Sequence, residues 1–173
     1  MSTLAIHVGA ESCAVHIDGQ ALALAVGPAQ LIRTELHSDP PLPEELTNAI
    51  GVVIDHLDDL LRELPAAIAA ERIEVDGAEM KAIAAVEIGR AAELPFELSH
   101  DAAEDVFRTV ATEPRADRAR NPGLEAHLVG TVTAGACIVV ALMRHLRLDR
   151  VTIVEHHEAA AAGRADRPIA TSS

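Results

Sequence analysis

The strongest pattern in the chain is a long apolar segment, residues 128–143, followed by a short β-branched run at residues 151–154. The segment is apolar on nearly all sides, which predicts a helix covered on both sides rather than a surface amphipathic helix. Small residues recur in it and allow close backbone approach: Gly130, Ala134, Gly135 and Ala136. The β-branched run lacks alternation, which is typical of a strand buried on both faces of an α/β sheet.

The first 26 residues contain three shorter apolar runs, at 4–8, 13–17 and 21–26. Asp18-Gly19 separates the second run from the third, and an Asp-Gly pair between such runs is a strong hairpin signal. We therefore predict a three-stranded antiparallel meander that ends at Gly27-Pro28. Residues 29–36 fit either an extension of the last strand or a helical turn.

The middle of the chain alternates helix and strand patterns. An amphipathic helix is predicted from Glu44-Glu45 to Leu64, where Pro65 ends it. Four further segments follow: a strand at 72–75, a helix at 79–92, a linker at 94–96 and a helix through 111 with Ser99 as its N-cap. The prediction is one α/β domain, residues 1–158, with a five-stranded mixed sheet and helices on both faces. Residues 159–173 have a composition that predicts a disordered tail.

Charge and composition exclude several classes of function. The formal net charge of −13 repels phosphate backbones and anionic membranes, so neither nucleic acid nor a membrane is an expected partner. The chain has two Phe and no Trp or Tyr, which argues against base stacking. Cys13 and Cys137 lie in apolar runs and are predicted to be buried, reduced thiols. The first residues lack the basic region of a signal peptide, so we expect a cytoplasmic protein.

A family resemblance lies in residues 106–157. An Arg115-Ala116-Asp117-Arg118 connector leads to Asn121-Pro122-Gly123-Leu124, and the small-residue helix and the final strand follow. This order resembles the closing segment of the exopolyphosphatase and guanosine pentaphosphate phosphohydrolase (Ppx/GppA) family. Residues 26–33 and 39–46 resemble two further segments of that family. The resemblance covers residues 4–158 and only the second of the family's two core domains, and it implies an actin-like, ribonuclease H-like fold.

The resemblance also locates two turns that hold phosphate in the family through bare backbone N–H groups. The first has the family pattern Asp-Ile-Gly-Gly-Gly-Ser, and the corresponding residues here are His7, Val8, Gly9, Ala10, Glu11 and Ser12. The second has the pattern Gly-Thr-Gly-Gly-Thr, and Asp76, Gly77, Ala78 and Glu79 take its place. In the first turn His7 replaces the Asp, and only Gly9 and Ser12 fit.

These replacements predict degenerate phosphate-loop positions without a catalytic residue. Added side chains stand where backbone would have to touch phosphate, and Glu11, Glu79 and Asp76 add negative charge. Like charges about 4 Å apart repel by roughly 4 kcal/mol at an effective dielectric near 20. The sequence therefore predicts a pseudoenzyme, a non-catalytic binding or regulatory module that needs no cofactor.

Several candidate sites stay open at this point. His7, Glu11, Asp76 and Glu79 could converge and hold a divalent cation, or they could be solvated carboxylates beside a structural histidine. His16 is open to the same two interpretations. His156-His157-Glu158 fits either a metal or acid–base cluster or an ordinary strand end. Arg115, Arg118 and Arg120 could bind an anion or form a salt-bridged surface connector. Ser12 has no evident His–Asp partner for a role as nucleophile.

The resemblance implies an enzymatic alternative as well. The chain could be half of a split or homodimeric phosphoanhydride hydrolase of the exopolyphosphatase type, with Mg²⁺ as its metal. In either case we expect a partner, a second copy or a separate protein, at the face where the family has its first domain.

Overall fold

The computed structural model describes residues 1–156, and within them the predicted sheet has six strands in the order β3-β2-β1-β4-β6-β5. The strands are β1 Thr3–Val8, β2 Cys13–Ile17, β3 Gln20–Leu24, β4 Arg72–Asp76, β5 Phe96–Ser99 and β6 Arg150–Ile153. The helices are α1 Pro28–Thr34, α2 Pro43–Glu63, α3 Ala78–Ile88, α4 His100–Thr112, the short α5 Arg115–Arg118 and α6 Val132–His145. The prediction of a single α/β domain with a mixed sheet is confirmed.

The predicted meander is present: β1 pairs antiparallel with β2, and β2 pairs antiparallel with β3. Strand β1 also pairs in parallel with β4, with His7 opposite Asp76, and β4 pairs in parallel with β6. Because β1, β4 and β6 run in the same direction, their carboxyl ends meet at one edge of the sheet. That edge carries the candidate site.

The sixth strand corrects the prediction of five. Residues 94–96 were predicted to be a linker, but Phe96 begins β5, which pairs antiparallel with β6. Only Leu98 of this four-residue edge strand is buried. One buried side chain in four residues gives no periodic signal, so sequence patterning cannot detect such a strand.

The helices cover one face of the sheet, which corrects the prediction of helices on both faces. Buried side chains alternate with exposed or half-buried ones along β1, β2, β4 and β6. The open face carries these residues, of which none is buried: Thr3, Ala5, His7, Ala14, His16, Arg72, Glu74, Asp76 and Thr152. Strand β6 is therefore buried on one face only, contrary to the sequence interpretation, because its run is too short to show the alternation.

Helix α6 confirms the predicted buried helix. Every residue from 132 to 143 is buried. A Cβ on Gly135 would lie 2.6 Å from the Glu79 Cβ of α3, so this glycine sets the close approach of the two helices. The helix begins at Val132 and not at 128; residues 126–128 form a separate 3-10 turn.

The undecided residues 29–36 are helical: α1 begins at Pro28, whose fixed φ suits the first helical position. Helix α2 begins as predicted, with the Glu45 carboxylate accepting hydrogen bonds from the backbone N–H groups of Leu42 (2.9 Å), His37 (2.8 Å) and Ser38 (3.2 Å). These donors lower the pKa of Glu45 to about 2. Ser99 caps α4, since its Oγ accepts the N–H of Ala102 at 3.1 Å.

Arg118 corrects the prediction of a salt-bridged surface connector. It is 5% exposed, and its guanidinium donates to the carbonyl oxygens of Val129 (2.7 Å), Glu113 (3.1 Å) and Val110 (3.2 Å). Burial lowers the pKa of Arg118, and the nearby Asp39 opposes that shift. This arginine ties α4, α5 and the approach to α6 together, so it has a structural role.

Both cysteines are buried, as predicted, and burial raises the pKa of the Cys13 and Cys137 thiols to about 12. Between residues 1 and 156, no helix is both long and apolar enough to cross a membrane.

Candidate functional site

The candidate site lies on the open face, where β1 and β4 end side by side. His7 and Asp76 are register partners, so their side chains project from the same face. His7 Nδ1 forms a short contact with Asp76 Oδ1. The exposed fractions of the two side chains are 37% and 14%. The sequence left open whether His7, Glu11, Asp76 and Glu79 converge; the structure brings His7 and Asp76 together.

A third residue completes the cluster. His156 follows β6, and its Nδ1 lies 3.0 Å from the same Oδ1 of Asp76. The His7 and His156 rings have centroids 4.2 Å apart and are tilted by 38°. We call His7, Asp76 and His156 the His–Asp–His cluster. Sequence reasoning grouped His156 with its neighbours His157 and Glu158 instead; those two residues lie outside the described part of the chain, as does the predicted tail.

Two glycines make the cluster possible. Gly77, directly after Asp76, has φ of +133°, and a Cβ there would lie 2.5 Å from the Val8 carbonyl oxygen. Only a residue without a side chain lets the ends of β1 and β4 approach this closely. A Cβ on Gly9 would lie 2.8 Å from the Ser12 carbonyl oxygen, so Gly9 allows the turn that directly follows His7 and Val8 to close.

Glu11 does not join the cluster. Its carboxylate forms a two-point contact with Arg33 of α1, at 3.0 and 2.9 Å, on the exposed surface. Arg33 holds the pKa of Glu11 below its ordinary value. The negative charge that the sequence places in the first turn is thus compensated locally.

Glu79 is also outside the cluster. It lies in the first turn of α3, is 9% exposed and packs against Gly135 of α6. Of the four residues considered for a cation site, the structure brings together His7 and Asp76 and separates Glu11 and Glu79.

The first turn uses its backbone groups internally. The N–H of Gly9 donates to the Ser12 carbonyl oxygen at 3.0 Å. The Ala10 carbonyl oxygen accepts the N–H groups of Ala29 (2.9 Å) and Gln30 (3.4 Å), which open helix α1. The Gly9 amide cannot donate to a phosphate while the turn keeps this arrangement. A Cβ on Gly27 would lie 2.5 Å from the same Ala10 oxygen, so the turn also packs tightly against α1.

The second turn differs from the first. Gly77 precedes α3 and gives it no side-chain cap, and Ala78 and Glu79 begin the helix. The backbone N–H groups of a helix's first turn have no partner within the helix. The second turn therefore retains donors, although Asp76 stands beside them.

The remaining candidates lie away from this edge or have other partners. His16 is exposed on the open face opposite Ala5, two residue pairs along from His7. Within residues 1–156, no histidine makes a hydrogen bond to the Ser12 hydroxyl. Arg115 donates its backbone N–H to Asp39 at 2.7 Å, and its guanidinium lies against Gly130.

Solved structures with the same arrangement are exopolyphosphatases and their relatives. An exopolyphosphatase-like protein matches with a TM-score of 0.82 and 19% identity, over 89% of this chain and 56% of that one. The Aquifex aeolicus PPX-GPPA enzyme matches with a TM-score of 0.79 and 17% identity, over 90% and 54%. An exopolyphosphatase from Cytophaga hutchinsonii matches with a TM-score of 0.71 and 16% identity, over 89% and 53%.

This chain has the Ppx/GppA fold. The resemblance noted in the sequence is thereby confirmed at the level of the fold, and the chain spans about half the length of these structures. No protein-family model and no curated protein sequence matches the chain. The likeness is thus visible in backbone architecture rather than in overall sequence.

Proposed function

We propose that the chain is a non-catalytic, Ppx/GppA-like domain that acts as a binding or regulatory module. The observation that carries this proposal is the first turn, where a phosphatase of this fold would offer bare amides to phosphate. Here the Gly9 amide is already bonded to the Ser12 carbonyl oxygen, and the Ala10 carbonyl oxygen is held by the start of α1, which fixes the turn in this arrangement. An amide so engaged would have to break a hydrogen bond before it could bind phosphate.

Two further features support the proposal. The position that the resemblance assigns to an acidic residue near the metal or attacking water is His7, and its ring is bound to Asp76. The side chains of Ala10 and Glu11 stand where the resemblance expects glycine, so a phosphate oxygen could not approach the backbone as closely. Both features weaken the binding of a phosphate chain at this edge.

Phosphate release tests the proposal directly. The purified chain is incubated with polyphosphate or guanosine pentaphosphate and either Mg²⁺ or Mn²⁺, and released phosphate is measured against a protein-free blank. We expect no release above the blank, because the Gly9 amide of the first turn is engaged, Ala10 and Glu11 stand where the resemblance expects glycine, and position 7 is not acidic. Turnover that scales with protein concentration would refute the non-catalytic function.

The second turn favours one alternative, half of a split or homodimeric phosphoanhydride hydrolase. The uncapped start of α3 keeps amides that could hold a single phosphate group, and Glu11 is neutralised by Arg33. This alternative predicts that phosphate release appears on mixing with a second polypeptide that carries a first domain, or rises steeply with the concentration of the chain alone.

We further propose that the module has a protein partner, a second copy or a separate chain, at the side of the sheet that the helices leave open. Half-buried alanines, Ala5 and Ala14, lie on that face, and no helix among the described residues covers it. Light scattering at tens of micromolar distinguishes a self-associating chain, which would have twice the monomer mass, from one that needs a different partner.

A further inference from the structure

We propose that the His–Asp–His cluster is a binding site for a divalent transition-metal ion of the Zn²⁺ type. The ligand atoms of His7, Asp76 and His156 all lie within 4.8 Å of one another. In a tetrahedral site with metal–ligand bonds near 2.1 Å, ligand atoms are about 3.3 Å apart. The 3.0 Å separation of His156 Nδ1 from Asp76 Oδ1 is close to that spacing.

The donor set selects the class of metal. Two imidazole nitrogens with one carboxylate oxygen suit zinc and its neighbours in the first transition row, whereas Mg²⁺ requires an octahedral shell of oxygens. Three protein ligands leave at least one coordination position open, which is the arrangement of sites that also bind an exchangeable ligand. The site therefore differs from an all-oxygen magnesium site.

The fold holds the three ligands in place before any ion binds. His7 and Asp76 come from adjacent parallel strands and are register partners. The segment after β6 is tied to β4 by the Val154 N–H, which donates to the Val75 carbonyl oxygen at 2.9 Å, and Glu155 adds an exposed ion pair with Lys81 of α3. A site built on strand ends and tied to a helix requires little rearrangement on binding.

The electrostatics of the cluster favour a cation as well. One oxygen of Asp76 faces two imidazole Nδ1 atoms, so each of these nitrogens either donates an N–H to that oxygen or shares a metal ion with it. An ion between the rings satisfies all three groups at once. The net charge of −13 also raises the local concentration of cations around the chain.

Metal titration of the full, chelator-stripped chain tests this site. Co²⁺ is the first probe, because tetrahedral coordination gives visible absorption bands, and Zn²⁺ is then added to displace it. We expect one equivalent of Co²⁺ per chain, displaced by one equivalent of Zn²⁺. Titration calorimetry with Zn²⁺ alone gives the affinity.

Single substitutions assign the ligands. His7→Asn, Asp76→Asn and His156→Asn should each weaken Zn²⁺ binding by about 10-fold or more, since loss of a support for a metal ligand alone costs 10- to 100-fold. His16→Asn is the matched control: it changes the same residue type on the same face and should leave affinity within about twofold. Circular dichroism checks that each variant is folded. If His7→Asn does not fold, His156→Asn provides the test instead, because His156 lies beyond the last strand.

The metal titrations can either support or overturn the proposed site. Saturable binding of Co²⁺ and Zn²⁺ that depends on all three cluster residues and not on His16 supports the site. The absence of saturable binding, or equal binding by wild type and His156→Asn, overturns it. Mg²⁺ binding of equal strength that survives His156→Asn would also overturn it. The result is independent of the phosphate-release assay, so either proposal can fail alone.

Discussion

Helix α6 consists mostly of buried apolar residues, whereas the edge of the sheet where β1, β4 and β6 end carries partly exposed polar side chains. Residues 132–143 are all buried, and the guanidinium of Arg118 beside them donates hydrogen bonds to three backbone carbonyl oxygens. At the edge, His7, Asp76 and His156 are only partly buried and contact one another. In the first region the buried Arg118 and Thr133 side chains have hydrogen-bond partners in the protein. In the second, polar groups converge on an accessible point.

The difference shows that fold and chemistry are determined by separate sets of residues in this chain. The α6 region accounts for the Ppx/GppA architecture, because aliphatic packing and a buried arginine position the helices. The edge decides what the domain can bind, because its turns and cluster are the groups that meet solvent. A change in one region should leave the other nearly intact, and the following experiments test that separation.

The largest effect is expected at Arg118. Arg118→Met keeps apolar volume but removes the donors to the carbonyl oxygens of Val129 and Glu113, while Val110 retains the Thr133 hydroxyl. Unsatisfied buried groups should lower the free energy of unfolding by about 3–5 kcal/mol, measured by urea denaturation. The control Arg33→Met removes an exposed ion pair and should have a much smaller effect on the free energy of unfolding. Equal effects of the two substitutions would contradict the structural role.

A smaller effect is expected where α6 meets α3. Gly135→Ala places a Cβ 2.6 Å from the Glu79 Cβ, and such overpacking should destabilise the chain by about 1–3 kcal/mol. Gly51→Ala in α2 is the control, since nothing lies within 4 Å of its added Cβ. It should stabilise the chain by about 0.5–1 kcal/mol through helix propensity. Thermal unfolding of both variants checks the difference; a stabilising Gly135→Ala would show that α3 and α6 adapt freely.

Features of the fold that have a local sequence signal could be predicted, and features that depend on distant parts of the chain could not. The burial of α6, the meander and the Ser99 cap could be predicted, because periodicity and capping residues are local signals. The four-residue β5 could not, because a short edge strand gives no periodic signal. The open face does show as alternation in Arg72–Asp76, but in β1 and β2 the apolar Ala5 and Ala14 on that face obscure it. Arg118 was placed on the surface for a similar reason: a charged residue among Glu113 and Asp117 gives no sign that backbone carbonyls surround it.

The candidate site was only half predictable. His7 and Asp76 follow apolar strand runs, so their meeting at a sheet edge could be inferred from parallel order. His156 joins them from a third strand, about 80 positions along the chain from Asp76, and only the sheet order β1-β4-β6 reveals it. The opposite placements of Glu11 and Glu79 depend on Arg33 and Gly135, which no local motif connects to them.

The smallest effect concerns acid stability at the start of α2. The pKa of Glu45 is lowered from 4.5 to about 2 by backbone donors, with Leu42 the largest. A carboxyl group whose pKa is lower in the folded than in the unfolded state stabilises the fold at pH values above its unfolded pKa. That stabilisation is lost as the pH falls from about 4.5 to about 2. The stability advantage of wild type over Glu45→Gln should therefore shrink across that range in urea titrations. The control Glu44→Gln removes a charge at the same helix start and reports the effect of charge alone. If the stability advantage of wild type over Glu45→Gln did not change with pH, the capping role would be contradicted.

The claim that this edge does not hold a phosphate chain is tested most directly by titration calorimetry of the purified chain with tripolyphosphate in the presence of Mg²⁺. The engaged Gly9 amide and the side chains of Ala10 and Glu11 predict no saturable heat up to millimolar ligand in wild type. One-to-one binding with a micromolar Kd, lost in Gly77→Ala while the fold persists by circular dichroism, would contradict it.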